Sequence, residues 1–346
     1  MSSDLPKSMK ALVLKAGPDD AKHPGRHLAL VDKPMPTLIK GEVLVKMEAA
    51  SANPSDLLSL RGKYAVNPVP GQTCGIEGVG RVIQSNAGIL GQFLKGRRVA
   101  VARPDGEGVW AEYAAIAASN CIPVGDALPV ESAAAFVVNP FTSYALIQKA
   151  HKKRAKAIVQ TAGASQVGRG VIALARAAKI ETISIVRRDD QVKLLEELGA
   201  KHILLQDDKA FDAKLKALCD ELKPTLFFDA VGGPITARVM EAMPKDTDAI
   251  VFGYLEENSA DPHGGHFPTQ SVIYKNQTIS AFWLAPYFIQ LGQIGGLRAS
   301  LDILKLFKAG VFKTKVSAIV GFDDYPAALD RYSANMTAGK ALLKIG

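Results

Sequence analysis

The apolar positions change their period about a third of the way along the chain. Before that point the apolar segments are short and broken. Met9 to Lys15, Gly41 to Met47, Val79 to Gln84 and Arg97 to Arg103 each carry β-branched or alternating apolar residues between Gly, Pro or Asn, a pattern that predicts strands. Their density predicts a compact, barrel-like all-β unit. Ser132 to Ala150 takes on a helical pattern. A break is expected in it at Asn139-Pro140, because the residue before a proline disfavours helix.

Beyond this, strand and helix alternate. Ala155 to Thr161 is an apolar run of the kind a buried parallel strand carries. Val167, Val171, Leu174 and Ala178 then fall on one helical face. Thr182 to Val186 predicts the next strand and Gln191 to Leu198 the next helix, ended by Gly199, where a left-handed cap suits glycine. Phe211, Leu215, Leu218 and Leu222 mark another amphipathic helix. Leu226 to Ala230, Ala249 to Tyr254 and Thr278 to Leu284 complete the strands. This alternation implies an α/β fold with a parallel, doubly wound sheet of the Rossmann kind. A helix near Leu301 to Ala309 and two last strands, Lys315 to Gly321 and Lys340 to Ile345, follow Pro286. No repeat of solenoid period interrupts the order, and 346 residues exceed the size of one core, so two domains are expected.

Composition narrows the setting. No apolar run reaches the ~18 residues of a membrane-spanning helix. Met1 to Lys10 has neither the apolar core of a secretory signal nor the Arg-rich pattern of a transit peptide. Cys74, Cys121 and Cys219 lie far apart, so a reducing, cytoplasmic setting is expected. The net charge of +8 would suit nucleic acid, a membrane surface or an anionic small molecule. Its sharpest cluster, His151-Lys152-Lys153-Arg154-Ala155-Lys156, lacks the interleaved aromatics of a single-strand-binding platform. It reads as a solvated link, and neither a nucleic-acid nor a membrane partner is expected.

The segment with the sharpest chemistry runs from the first buried strand into its helix: Gly163-Ala164-Ser165-Gln166-Val167-Gly168. Gly163 and Gly168 take the outer places of a G-x-G-x-x-G turn and Ser165 the middle one. Glycine there permits the tight turn and close helix packing, and amides at the helix start can face a pyrophosphate. The next strand ends in Arg187-Arg188-Asp189-Asp190. Two guanidiniums suit the 2'-phosphate of NADPH, whereas NAD-preferring folds place a carboxylate near this point. Asp189 or Asp190 is expected to cap the following helix. Asp229-Ala230-Val231-Gly232-Gly233 ends another strand at the ligand edge of such a sheet, and Gly253-Tyr254 and Phe282-Trp283-Leu284 are candidates for the nicotinamide side.

Several further motifs accompany these: Asn53-Pro54-Ser55-Asp56, Arg61-Gly62-Lys63-Tyr64, Gly75-Ile76-Glu77-Gly78-Val79-Gly80, Asn139-Pro140-Phe141-Thr142 and Gly339-Lys340-Ala341-Leu342-Leu343. In this order, across nearly the whole chain, they resemble the medium-chain dehydrogenase/reductase superfamily, and most its zinc-independent quinone reductase and enoyl-thioester reductase branches. The resemblance implies a GroES-like, β-barrel-type catalytic domain from residues 1–138 and 287–346, split by a Rossmann domain at 139–286. It also implies a homodimer joined through the Rossmann sheets, and cofactor contacts at Thr142 and Lys340. One departure stands out. Gly96-Arg97-Arg98-Val99 lacks the acidic residue that commonly follows this glycine in the family.

Zinc members of the superfamily place a cysteine near Asn53 and a histidine at Ile76, and carry a four-cysteine lobe absent here. His263-Gly264-Gly265-His266 suggests no third ligand and reads as a glycine loop. A metal-free enzyme is therefore expected. Without a Lewis acid, an electron-poor acceptor is the suitable substrate: a quinone, enone or enoyl thioester. By the resemblance, Tyr64 is the candidate proton donor. Its ordinary pKa of ~10 keeps it protonated at neutral pH. Asn53 could hold the nicotinamide amide or the acceptor oxygen, or serve as a turn cap. The expected activity is NADPH-dependent reduction of quinones or conjugated C=C bonds. The alternatives are an acyl-thioester enoyl reductase of fatty acid synthesis and a non-catalytic NADPH-binding or RNA-associated protein.

Overall fold

A computed structural model describes residues 5–16, 20, 22–103, 106–255 and 268–346. The chain forms two compact units, Met1–Pro140 with Gly292–Gly346, and Phe141–Leu291. In chain order the first stretch holds strands β1 (Ser8–Leu14), β2 (Leu28–Pro34) and β3 (Glu42–Ser51), helix α1 (Pro54–Leu60), β4 (Glu77–Ser85), α2 (Gly88–Leu94), β5 (Arg98–Ala102), β6 (Tyr113–Ala117), β7 (Cys121–Pro123) and α3 (Val130–Ala134). Helix α4 (Val138–Lys153) leads into the second unit. There follow β8 (Ala157–Gln160), α5 (Gln166–Ala177), β9 (Glu181–Val186), α6 (Asp189–Glu197), β10 (His202–Leu205), α7 (Phe211–Leu222), β11 (Leu226–Asp229), α8 (Pro234–Ala242), β12 (Asp248–Val251), α9 (Thr269–Tyr274), β13 (Thr278–Ala281) and α10 (Leu284–Lys308). The chain closes with β14 (Val316–Val320), α11 (Tyr325–Ala334) and β15 (Lys340–Lys344).

In the second unit the strands lie in the order β10-β9-β8-β11-β12-β13, and every neighbouring pair is parallel. This is the doubly wound sheet that the strand-helix alternation implies. Its core gathers Val159, Ile183, Ile185, Phe211, Leu215, Phe227 and Val239. The first unit has a seven-stranded sheet, β14-β15-β3-β4-β5-β7 with β6 on β3, beside the β1-β2 hairpin. The late strand β15 pairs antiparallel with β3, placing Leu342 opposite Ser51. That pairing carries the last residues of the chain to the end of the first long strand. Trp110 and Tyr325 pack edge to face at 5.0 Å in the middle of this unit's core.

The structure departs from the sequence expectations in three places. The helical break falls before Val138, and Pro140 sits inside the first turn of α4, where a missing N–H leaves no bond unmade. The last strand of the parallel sheet ends at Ala281, and all four of its residues are exposed. Helix α10 begins at Leu284, well before Leu301, and is two helical segments broken at Gly292. Elements β2, α1, β10, α8 and α11 are too short or too weakly periodic to stand out in the sequence.

Candidate active site

The candidates divide between the two units. In the first unit, a proline at the first helical position starts α1 directly after Asn53. The Asp56 carboxylate accepts the Asn53 N–H at 2.8 Å and the Ile76 N–H at 2.9 Å, tying the helix start to the strand-end motif. The Asn53 side chain is held from three sides. Its Nδ2 donates to Glu77 Oε1 at 2.9 Å. Its Oδ1 accepts from Lys340 Nζ at 2.5 Å and from Asn139 Nδ2 at 3.2 Å. Glu77 also accepts from Ser51 Oγ at 2.7 Å and from the backbone amides of Val137 and Val138 at 3.1 and 2.8 Å. The Lys340 ammonium lies 3.4 Å from Glu77 Oε1 and donates to the Ala52 carbonyl at 3.0 Å.

Ser51, Asn53, Asp56, Glu77, Asn139 and Lys340 are all buried. Buried charge is tolerated when it is paired and its remaining bonds are made, and here four chain segments supply those bonds. Burial pushes the Asp56 carboxyl up to about 7, with Glu77 adding to the rise and the Asn53 amide and Lys340 opposing it. Burial likewise holds the Lys340 ammonium below the ordinary lysine range, and Glu77 and Asp56 partly restore it. Asn53 has two bonds to its oxygen and one from its nitrogen, so one Nδ2 hydrogen is not used by these bonds.

Tyr64 stands half-buried in the loop after α1. Its N–H donates to Asn67 Oδ1 at 3.0 Å, and Asn67 Nδ2 donates back to its carbonyl at 2.8 Å. That closed ring fixes the backbone at Tyr64. A small cavity under the same loop is lined by Asp56, Ser59, Val66, Asn67, Cys74 and Trp110. The buried Trp110 indole N–H there has no partner among the described residues. Burial drives the Cys74 thiol upward, which keeps it protonated and weakly nucleophilic.

The second unit carries its own candidate centre at the end of β8. A Cβ on Gly168 would lie 2.5 Å from the Gly163 carbonyl oxygen, and one on Gly163 would lie 2.9 Å from Ser184 Cβ. Only glycine allows this approach of helix to strand. Ser165 caps α5 by accepting the Gly168 N–H at 3.0 Å, and Gln160 Nε2 donates to Gly168 O and Ser184 Oγ at 3.2 and 3.0 Å. Ala164 is buried, and Gln166 and Val167 open the helix half-buried. Arg169, absent from the sequence candidates, donates to Gln166 Oε1 at 2.6 Å. Its guanidinium therefore sits at the first turn, and its buried Nε has no partner among the described residues. A cation at the positive end of a helix is disfavoured unless an anion completes it.

Arg187 and Arg188 end β9. Arg188 is itself the N-cap of α6, and Gln191 Oε1 accepts both arginine backbone N–H groups at 3.0 and 3.2 Å. This corrects the expected Asp189 or Asp190 cap: the glutamine three residues into the turn reaches back to the strand end, as in a capping box. Asp190 instead pairs with Arg188, at 2.9 Å from Nε and 3.2 Å from Nη2. Asp229 is buried, accepting from Thr161 Oγ1 at 2.7 Å, Thr236 Oγ1 at 2.6 Å and the amides of Val231 and Gly232. It organises the turn whose Gly232 and Gly233 take φ of 73° and 71°. Gly253 lies against that turn, where a Cβ would be 2.7 Å from the Ala230 carbonyl. Thr142 is buried on α4, Tyr254 is half-buried, and Phe282 is buried 5.5 Å from the Tyr287 ring; Trp283 is exposed and Leu284 opens α10. His263 and His266 lie outside the described residues.

Two family models match: "Alcohol dehydrogenase GroES-like domain" over residues 39–126 and "Zinc-binding dehydrogenase" over residues 167–290. A Mesorhizobium loti structure, provisionally assigned as an NADPH:quinone reductase, is 33% identical with a TM-score of 0.88, covering 98% of this chain and 99% of that one. The chain belongs to the medium-chain dehydrogenase/reductase superfamily. Within it, the chain sits in the zinc-independent quinone and enoyl reductase branch. The mitochondrial enoyl-[acyl-carrier-protein] reductase of Arabidopsis thaliana is 29% identical over 87% of this chain and 80% of its own length. A complex of Etr1p with NADP and crotonyl-CoA shares the fold at 21% identity and a TM-score of 0.79, covering 97% and 99% of the two chains. NADPH fits the second unit of this superfamily member. The Gly163–Gly168 turn would receive its pyrophosphate, and Arg169, whose buried Nε has no partner among the described residues, would be the cation at that turn. The enzyme is an NADPH-dependent oxidoreductase with no helix among the described residues long and apolar enough to cross a membrane.

Proposed function

We propose that this reductase acts on a conjugated carbonyl compound or quinone, with Tyr64 giving the proton. The observation that carries the reading is the polar centre of the first unit. There Asn53 and Glu77 close on the Lys340 ammonium, where zinc members of the superfamily present metal ligands. An acceptor that needs no Lewis acid suits such a centre. When bound, NADPH supplies the hydride. Tyr64 delivers a proton to the carbon or oxygen left electron-rich, and Asn53 offers its remaining Nδ2 hydrogen to an acceptor oxygen or the nicotinamide amide. Arg187 and Arg188 hold the 2'-phosphate, and Thr142, Asp229, Gly253, Tyr254, Phe282, Trp283 and Leu284 complete the cofactor contacts directly or through their turns. Lys340 acts by holding Asn53.

The two units correspond, in this reading, to a split catalytic domain and a nucleotide domain. A homodimer is supported by the exposed edge strand β13 and by exposed Ile273, Tyr274, Ile279 and Ile289 in the same unit, since an open apolar edge invites pairing. A reducing compartment such as the cytoplasm suits three buried free cysteines. An acyl-thioester acceptor is the second reading, favoured by the enoyl-[acyl-carrier-protein] reductases among the relatives.

The test is NADPH consumption by chelator-treated protein with 1,4-benzoquinone, 9,10-phenanthrenequinone, a small enone and crotonyl-CoA, beside Tyr64→Phe. Turnover of the enone or crotonyl-CoA that falls about 10²-fold or more in Tyr64→Phe is expected of a general acid. Turnover of quinones alone, indifferent to Tyr64, would reduce that residue to a shaping role.

A further inference from the structure

The departure at Gly96-Arg97 lies on a surface that the reductase chemistry does not use. Two segments of the first unit meet there. The Gly41 N–H donates to the Asn86 carbonyl at 2.8 Å, and Asn86 Nδ2 donates to the Leu38 carbonyl at 3.3 Å. The loop of residues 36–41 is thereby fastened beside the start of α2. Four large apolar side chains stand out from these segments: Ile39 is 67% exposed, Ile89 92%, Leu90 44% and Phe93 53%. On α2 only Gly91 and Leu94 are buried, so the outer face of the helix is apolar and uncovered.

The rim of this surface is basic. Lys40, Lys95 and Arg97 are exposed. Arg97 lies 4.2 Å over the Phe93 ring and donates from Nε to the Phe93 carbonyl at 2.6 Å. A cation is thus held on top of the apolar face, at the position where the family commonly has a carboxylate. Residues 36–41 and 86–97 contain no Asp or Glu. Of the neighbouring carboxylates, Glu42 is turned to the Ile39 N–H at 3.1 Å, and Asp126 pairs at 2.6 Å with Arg81, which donates to the Gly96 carbonyl.

We infer, against the expectation of no membrane partner drawn from the sequence, that the surface of α2 and the residue 36–41 loop attaches this protein peripherally to an anionic lipid surface. Protruding apolar side chains with cations at their base match an interface that is apolar inside and anionic at its headgroups. Side chains as prominent as Ile89 suit a deformable layer better than a rigid protein face. Attachment of this kind needs no membrane-spanning helix. With four apolar side chains and three cations it is weak, reversible and salt-sensitive.

The experiment is co-sedimentation of the full protein, at low ionic strength, with vesicles of phosphatidylcholine alone or with a minority of phosphatidylserine. Binding to the phosphatidylserine vesicles alone, released by salt, is expected. Ile89→Ser with Phe93→Ser should lower the partition coefficient about tenfold or more. Lys40→Gln with Lys95→Gln should lower it by about the same factor. Quinone or enone reduction in solution should be unchanged in these variants, which confirms that they fold. No binding to either vesicle, equal binding to both, or equal binding by the variants would overturn the inference. So would retention on soluble polyglutamate with no vesicle binding, which would point to an acidic protein partner instead.

Discussion

The candidate centres of the two units are assembled in opposite ways. The glycine turn after β8 is local: Gly163, Ser165 and Gly168 lie within one strand-to-helix connection, and its key bonds, such as Gly168 N–H to Ser165 Oγ, span three residues. The polar centre is the reverse. Lys340 and Asn53, 287 residues apart, are joined by one hydrogen bond, and Glu77 and Asn139 come from two further segments. The first is specified by sterics, since a single Cβ would not fit. The second is specified by electrostatics, since each buried charge depends on partners delivered by the sheet. The local centre should therefore fail by losing its ligand, and the distributed centre by losing stability.

The largest effect should come from breaking the buried pair. Lys340→Met leaves Glu77 buried without its cation and should cost about 3–5 kcal/mol in urea unfolding. Glu77→Gln with Lys340→Met should recover part of that loss. A loss under about 1 kcal/mol in the single variant would mean that the centre is held by its neutral hydrogen bonds.

Asp56 gives the same centre a pH signature. Its carboxyl is ordinarily near 3.8 and is raised to about 7, so the folded state binds a proton that the unfolded chain has released. Its contribution is therefore fully present below pH 4 and is lost as pH rises through 7. Asp56→Asn should flatten that part of the stability profile, by a few kcal/mol across the interval. An unchanged slope would exclude Asp56 as its source.

The turn should show the opposite balance. Gly168→Ala should cost about 1–3 kcal/mol of stability from overpacking, and NADPH affinity should fall more than that alone explains. Retained affinity would show that the pyrophosphate does not depend on this packing. The smallest effect separates the cofactors: Arg187→Ala with Arg188→Ala should raise the Kd for NADPH about tenfold and leave NADH nearly unchanged, consistent with loss of charge-assisted bonds. Equal effects on both would remove the 2'-phosphate assignment.

The same contrast explains what could be read ahead of the structure. The Gly163–Gly168 turn, the parallel sheet and the basic strand end at Arg187-Arg188 all follow from short windows. Glu77 and Asn53 stand inside motifs legible in the sequence, yet no window shows that Lys340 reaches them. Arg169 and Trp110 carried no motif at all. Their unpartnered nitrogens become visible only once burial is known. The α6 cap turned on reach: Gln191 and the aspartates are all capping residue types, and only the backbone geometry at Arg188 selects among them.

By itself, the sequence determined the superfamily, through motifs in fixed order along the chain, and the strand-helix alternation and glycine turn of the second unit, because those two rest on interactions a few residues long. Only the tertiary structure decided that a late strand pairs with β3 and sets an ammonium against Asn53 and Glu77. It also decided that α2 leaves an apolar face uncovered. Both depend on which distant segments become neighbours, which is set by burial summed over the whole sheet and not by any local preference.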